Sequence, residues 1–283
     1  MLVNLTEILK IAEERGCAVG MFNATGFDSL QAIIKAAEEL NQPVIIAHAE
    51  VHNVYNDISL VGPAIIAVAK EAKVPVCAHL DHGTSLEMIY RALRIGFTSV
   101  MIDASAYPYE ENLRLTREVT KIAHAMGVSV EAELGRLVTS ESGDRAEGVT
   151  LRAEDYYTDP EEARAFCEAT GVDALAIAFG TSHGFYSAAP KLSFDVIKKV
   201  RAATGLPLVM HGGSGVSPEG FREAIKCGIR KVNYYSYMSK AGYDAAAKVI
   251  SEGKTKYLHD VEYAAMQAMC EDVKAAINVF SGN

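Results

Sequence analysis

Residues 75–95 read PVCAHLDHGTSLEMIYRALRI, and this stretch holds one complete β/α unit. Pro75–His82 is apolar except for His79, Asp81 and His82 toward its end, as expected of a strand covered on both faces. Its proline stands at the first residue, where a missing N–H costs least. Thr84–Ile95 then sets Leu86, Ile89, Ala92 and Leu93 on one side of a 3.6-residue repeat, which predicts an amphipathic helix. Working outward, the same kind of apolar run recurs at Cys17–Ala24, Pro43–Ala49, Ser99–Ser105, Val128–Gly135, Ala174–Gly180, Leu206–His211 and Lys231–Ser236. Helical patterns separate the runs. Asp28–Leu40 aligns Leu30, Ile33, Ile34 and Ala37, and Glu110–Met126 stops at Gly127. Asp159-Pro160 and Ser217-Pro218 each supply an N-cap followed by proline at the first helical position.

Eight strands alternating with helices predict an α/β protein: a closed (β/α)8 TIM barrel, one domain over residues 1–283 with a C-terminal helical extension. Such barrels run to about 250 residues, whereas a doubly wound sheet usually has fewer strands. No G-x-G-x-x-G follows strand one, where Gly20-Met21-Phe22-Asn23-Ala24 stands, and this counts against a dinucleotide-binding sheet. From Met238 onward the pattern is helical and fits packing under the barrel, beside it, or against a partner subunit.

Composition narrows the function. The 283 residues are 49% hydrophobic, as in ordinary globular proteins. The longest apolar stretches, such as Ala64–Ala69, fall far short of the roughly 18 residues a membrane helix needs. Met1–Lys10 lacks a basic segment followed by an apolar one, so no secretory signal is expected. The net charge of −9 disfavours a nucleic-acid partner, whose phosphates call for a concentrated basic face. Five widely spaced cysteines, Cys17, Cys77, Cys167, Cys227 and Cys270, form no C-x-x-C and read as small buried hydrophobes of a reducing cytoplasm.

In barrels of this kind chemistry gathers at the C-terminal strand ends. Strand by strand these ends carry Asn23; His48 and Glu50; Asp81 and His82; Asp103; Glu133; His183; His211; and Asn233. Turn chemistry accounts for any one of them, but turns favour Gly, Asn, Asp and Pro rather than histidine. Three of the eight histidines fall after strands three, six and seven, each followed by glycine: His82-Gly83, His183-Gly184 and His211-Gly212. Three imidazoles at one barrel mouth are the ligand count of a catalytic zinc site, and the donors also suit cobalt, iron or nickel. Asp103 and Glu133 read as hydrogen-bond partners of these rings, as a second cation site, or as strand-end salt bridges. Asp81, next to a candidate ligand, is a candidate general acid/base. Gly212-Gly213-Ser214-Gly215 follows strand seven and Asn233–Ser236 closes strand eight, where barrels bind phosphate through backbone N–H groups. More than twenty residues separate Gly135 from Asp159-Pro160, and they carry Glu141, Asp144, Arg145 and Glu147. A connection so long is either a lid or a surface excursion.

Taken together, His79-Leu80-Asp81-His82-Gly83, Val100–Ser105, Glu131-Ala132-Glu133-Leu134-Gly135, Gly180–Gly184 and His211–Gly215 resemble the class II, metal-dependent ketose-bisphosphate aldolases along essentially the whole chain. The resemblance implies zinc on His82, His183 and His211, with Asp103 and Glu133 at a second cation, divalent or monovalent. It implies Asp81 as the acid/base on the aldehyde-derived oxygen. Gly184, Gly212, Gly213, Ser214, Asn233 and Ser236 become binding residues for dihydroxyacetone phosphate, and Asn23, Tyr234 and Tyr235 complete the candidate substrate set. The family's lid glutamate lies eight residues after the glutamate of Glu-Leu-Gly, which here is Glu141; Asp144 and Glu147 are the other lid acids. A Schiff-base lysine is then unnecessary, and the one lysine near the strand ends, Lys231, carries no assigned role. The expected partner is a small sugar phosphate, and the expected assembly is a homodimer or homotetramer in the cytoplasm.

Four positions depart from the family pattern. Ala49 replaces a Ser or Thr after strand two, between His48 and Glu50, and Val138-Thr139 replaces a lid Gly-Gly. Ser187 stands where many relatives have a lysine near the phosphate, and strand eight ends in Asn233-Tyr234-Tyr235-Ser236-Tyr237 rather than Asn-x-Asp/Ala-Thr. These changes spare the metal set and alter what surrounds the substrate, so a substrate other than fructose bisphosphate is expected. The alternatives are sugar-phosphate isomerisation or epimerisation at the same metal, or a catalytically silent sugar-phosphate binder. A hydrolase of the amidohydrolase kind is disfavoured, since strand one lacks His-x-His.

Overall fold

A computed structural model describes residues 1–135, 138–139, 157–185 and 190–282, with the backbone alone at 138–139. Eight strands form the barrel: β1 Val19–Asn23, β2 Val44–Ala49, β3 Val76–Gly83, β4 Ser99–Ile102, β5 Ser129–Leu134, β6 Ala174–Ile177, β7 Leu208–Met210 and β8 Ile229–Asn233. Each pairs in parallel with its chain neighbours, and β8 pairs with β1, which closes the cylinder. All eight strands expected from the sequence are present, each shorter than its apolar run except β3, which matches its run in length and is offset by one residue. Strand eight ends at Asn233 rather than Ser236, because Ser236 already opens the helix Ser236–Glu252.

Side chains alternate between two apolar layers, as the two-residue period of a strand requires. Phe22, Ile46, Val100, Val130 and Leu175 face the helices, while Met21, Ile45, Ala47, Cys77, Ala174, Ala176 and Val209 fill the barrel's lower interior. The helix Leu5–Arg15 plugs the bottom with Leu5, Ile8, Leu9 and Ala12, a four-residue stripe joined to that inner layer. Asn4 and Glu7 form its capping box. Neither this helix nor the short strand Leu2–Val3, which pairs with β3, was legible in the opening residues.

The C-terminal extension is a hairpin of Ser236–Glu252 and Leu258–Ser281. It lies beside the barrel against Phe27–Leu40, not under it, and Phe280 reaches the strand layer, where its carbonyl accepts the Ala18 N–H. All five cysteines are buried free thiols, as their spacing suggested. Among the described residues no helix is long and apolar enough to cross a membrane.

Candidate active site

Above the apolar floor the barrel interior turns polar in two steps. Residues 79, 131 and 231 supply a layer of His79, Glu131 and Lys231, all fully buried. One alternation further up stand the buried Asn23, Asp81, Glu133, His211 and Asn233, of which Asn23, Asp81 and Asn233 line a cavity of about 440 Å³ at the C-terminal mouth. Strand alternation alone would send His82 outward. Instead His82 takes a left-handed φ of 45°, rare for a residue with a Cβ, and the β3–β4 register shifts there. The consequence is functional: Asp81 and His82, adjacent in sequence, both face the mouth.

The three histidines meet as expected. His82 lies 5.0 Å from His183 and 4.6 Å from His211 between ring centroids, and His183 lies 5.8 Å from His211. One donor atom from each ring falls within 4.8 Å of the other two. His82 Nδ1 is 2.7 Å from Asp103 Oδ2, and His211 Nε2 is 2.9 Å from Glu131 Oε1, so each ring is oriented through its other nitrogen. Asp103 therefore sits as a partner of His82, and together with Glu133 it also approaches His82 closely enough to share a cation.

The electrostatics ask for positive charge. Burial first, and then the Asp103 carboxylate, push Glu133 well above the usual carboxylate range. Burial opposes a charged His82, yet Asp81 and Asp103 outweigh it and lift that ring to about 10. Burial holds His183 down at about 3, in the neutral form that ligates metals. Glu133 Oε2 and His211 Nδ1 lie 3.4 Å apart, and both are buried with no hydrogen-bond partner. A nest of nitrogen and carboxylate donors with orphaned atoms aimed into it fits a divalent cation, which would take the place of the missing positive charge.

Asp81 is held from both sides: Asn23 Nδ2 donates to Oδ2 at 3.0 Å and Asn233 Nδ2 to Oδ1 at 3.1 Å. Burial raises its pKa, but the positive charges of His82 and Lys231 more than reverse this, so the group is an ionised acceptor. Across the cavity, Gly184, Gly212, Gly213, Ser214, Tyr234, Tyr235 and Ser236 line the wall expected to take phosphate. Gly212 has φ 64°, and a Cβ there would collide with the Ser182 carbonyl. The Gly213 N–H is donated to the Asn233 carbonyl at 3.0 Å, so this residue contributes close approach rather than a donor. Ser214 Oγ accepts the Tyr235 N–H at 3.3 Å, tying the loop to the start of the helix Ser236–Glu252. A Gly212→Ala variant is expected to lose about 1–3 kcal/mol of stability from backbone strain and to weaken phosphate binding. Thermal melting with and without inorganic phosphate checks both.

Other expectations are corrected. His48 does not reach the mouth: it shares the outward parity of Ile46 and is fully buried behind the strand. Glu50 does not line the cavity either. It accepts from the Thr84 N–H at 2.6 Å and from Ser85 Oγ at 2.9 Å, pinning the loop that follows His82. Ala49 does line the cavity, beside Val51, His52 and Tyr55 of the turn Glu50–Val54 and its edge. His52 packs on Tyr235 with centroids 4.8 Å apart, a contact that strand-end reading missed. His183 does follow β6, as expected, and lies in a two-residue strand, Ser182–His183, paired in parallel with Val138–Thr139. The lid acids Glu141, Asp144 and Glu147, together with Ser187, lie outside the described residues.

The chain is similar to known proteins along nearly its whole length. The sequence model of the family described as "Fructose-bisphosphate aldolase class-II" matches residues 3–283. A probable fructose-bisphosphate aldolase of Bacillus subtilis is 44% identical over 235 residues, 82% of this chain and 80% of its own. A fructose-bisphosphate aldolase of Staphylococcus epidermidis is 39% identical, covering 99% of this chain and 97% of its own. Among solved structures, the YdjI aldolase of Escherichia coli K12 superposes with TM-score 0.86 at 35% identity, covering 99% of this chain and 97% of its own.

Proposed function

The chain belongs to the class-II fructose-bisphosphate aldolase family, carbon–carbon lyases acting on sugar phosphates, and from that premise we propose its reaction. It cleaves a ketose 1-phosphate or ketose bisphosphate reversibly to dihydroxyacetone phosphate and an aldehyde, and its best substrate is not fructose bisphosphate. One observation carries the reading: the doubly held Asp81 carboxylate stands at the mouth where His82, His183 and His211 converge.

When bound by those three imidazoles, a zinc ion supplies positive charge opposite the oxygens on which negative charge develops. Asp81 accepts the proton of the hydroxyl on the carbon that becomes the aldehyde, and returns it in the condensation direction. Asn23 and Asn233 each occupy one lone pair of its carboxylate and fix its plane, leaving a lone pair on each oxygen. Gly184, the Gly212–Ser214 loop and the helix end at Ser236 receive the phosphate, where backbone dipoles favour an anion. Asp103 orients His82, Glu133 lies against His211, and the two carboxylates could instead hold a second cation. Glu141, outside the described residues, moves the proton at the carbon left behind.

The substrate reading rests on the wall formed by Val51, His52, Tyr55 and Tyr235. Two aromatic rings, an imidazole and an isopropyl group favour an aldehyde whose reacting end is flanked by apolar or hydroxylated carbons. Kinetics over a panel of ketose phosphates tests this, with a coupled NADH assay for the three-carbon product. Turnover of some other ketose phosphate at least tenfold above fructose bisphosphate is expected; fructose bisphosphate cleaved as fast as any other refutes the substrate assignment. Conversion without a three-carbon product would instead mean isomerisation.

The same reading includes a homodimer or homotetramer working in the cytoplasm. Tyr243, Ile250, Tyr257, Leu258 and Tyr263 leave apolar surface exposed on the C-terminal hairpin, which supports self-association. Light scattering of the purified chain measures the assembly.

A further inference from the structure

We infer that Lys231 is a positioning residue, whose buried ammonium fixes both the face Asn233 turns to Asp81 and the ring nitrogen His211 keeps for a metal. The inference rests on the roles proposed above for Asp81 and His211. Lys231 is fully buried at the second interior level of β8 and is absent from the cavity wall, so it does not reach substrate. Its Nζ donates to Asn233 Oδ1 at 2.8 Å and to Glu131 Oε1 at 3.1 Å, and it forms an ion pair with Glu131 Oε2 at 2.8 Å.

An ammonium has three donors and no acceptor, and from this both consequences follow. Asn233 must present its carbonyl oxygen to Lys231, which turns its NH2 toward Asp81 Oδ1, 3.1 Å away. The flipped amide would set NH2 against NH3⁺ and oxygen against carboxylate, two repulsive contacts in a site without bulk water. On the other side, a carboxylate paired to an ammonium only accepts. His211 must therefore donate from Nε2 to Glu131 at 2.9 Å, which leaves the lone pair on Nδ1. That Nδ1 is buried without a hydrogen-bond partner, 3.4 Å from Glu133 Oε2, and is the nitrogen left to a metal in the cluster that His211 forms with His82 and His183. One side chain thus sets the polarity of two chains of hydrogen bonds, one ending on the acid/base and one on a metal ligand.

Stability does not account for this layer. The interior below it is filled by Met21, Ile45, Cys77 and Val209, and an apolar set could have continued upward. Burying an ion pair often costs more than its attraction returns, so the layer is explained by what it orients. His79 closes the third side, with Nδ1 2.8 Å from Ser99 Oγ and Nε2 3.8 Å from Glu131 Oε2.

The test uses the full chain with Lys231→Met, which keeps the stem and removes the donors. Zinc affinity is read by competition with a chelator, and kcat and KM are measured at saturating zinc on the best substrate of the panel. A zinc Kd weakened about tenfold or more, and a kcat lowered about 100-fold with KM within threefold, are expected. A side chain that merely filled space would move melting temperature and leave the zinc Kd and the split between kcat and KM alone. Because Lys231→Met strands a buried carboxylate, the double variant Lys231→Met/Glu131→Gln is measured beside it, and its defects should match. Parental zinc affinity and kcat in either variant overturn the inference. Asp81→Ala, run in parallel, separates the two levels: full activity there removes the underlying reading, whereas inactivity there beside a normal Lys231→Met removes only the role of Lys231.

Discussion

Replacing Asp81 by alanine is expected to lower kcat by about 10²–10⁴-fold, the range a positioned general acid/base contributes, while zinc content stays at one ion per chain. The expectation follows from two distances. Asn23 and Asn233 donate to opposite oxygens of this carboxylate at 3.0 and 3.1 Å, so the structure invests two buried amides in fixing one proton acceptor. Asp81→Asn is a sharper variant, since it preserves volume but turns an NH2 group toward one of those amides; it should be as inactive as alanine. Rapid-quench assays of cleavage, with metal analysis on the same preparation, check both. A silent sugar-phosphate binder would show no turnover before or after the change. Near-parental kcat in Asp81→Ala would remove this residue from the reaction.

His211→Ala should abolish both metal binding and turnover. His211 is fully buried and oriented by Glu131 from below, so alanine there removes the imidazole and leaves a buried gap in its place. Loss of a Lewis acid removes several kcal/mol of charge stabilisation; at 1.36 kcal/mol per tenfold, about 4 kcal/mol is roughly 10³-fold in rate. Adding excess zinc should not restore the variant, whereas it should restore the parent after chelation. Elemental analysis and activity before and after metal addition decide this. Parental zinc content in His211→Ala would show that the ion, if any, is held elsewhere.

The barrel was legible because its strands are covered on both faces and so read as apolar runs, such as Pro43–Ala49 and Pro75–His82. Strand ends overran for the same reason: Ala178 and Phe179 are buried beyond the end of β6, and burial without ladder pairing looks identical in sequence. The metal histidines were legible because histidine is rare at turns, and their convergence needed only the barrel's geometry. What stayed hidden depends on alternation and on backbone shape. His48 and His79 look alike as histidines in apolar strands, yet one is behind the sheet and the other inside it. His82 faces the mouth only through its left-handed backbone, which no residue pattern announces. Lys231 passed without a role because a lysine at the start of a strand reads as solvent-facing, and only the buried partners Glu131 and Asn233 reveal otherwise. Glu50 stood out as polar after strand two, but its function is to hold Thr84 and Ser85.

The central claim is that one divalent ion binds where His82, His183 and His211 meet. Anomalous diffraction from a crystal grown with zinc, recorded on both sides of the zinc absorption edge, tests it most directly. A single strong peak bonded to all three imidazoles is the predicted result. A peak held by Asp103 and Glu133 alone, or three rings turned away from any peak, would contradict the account.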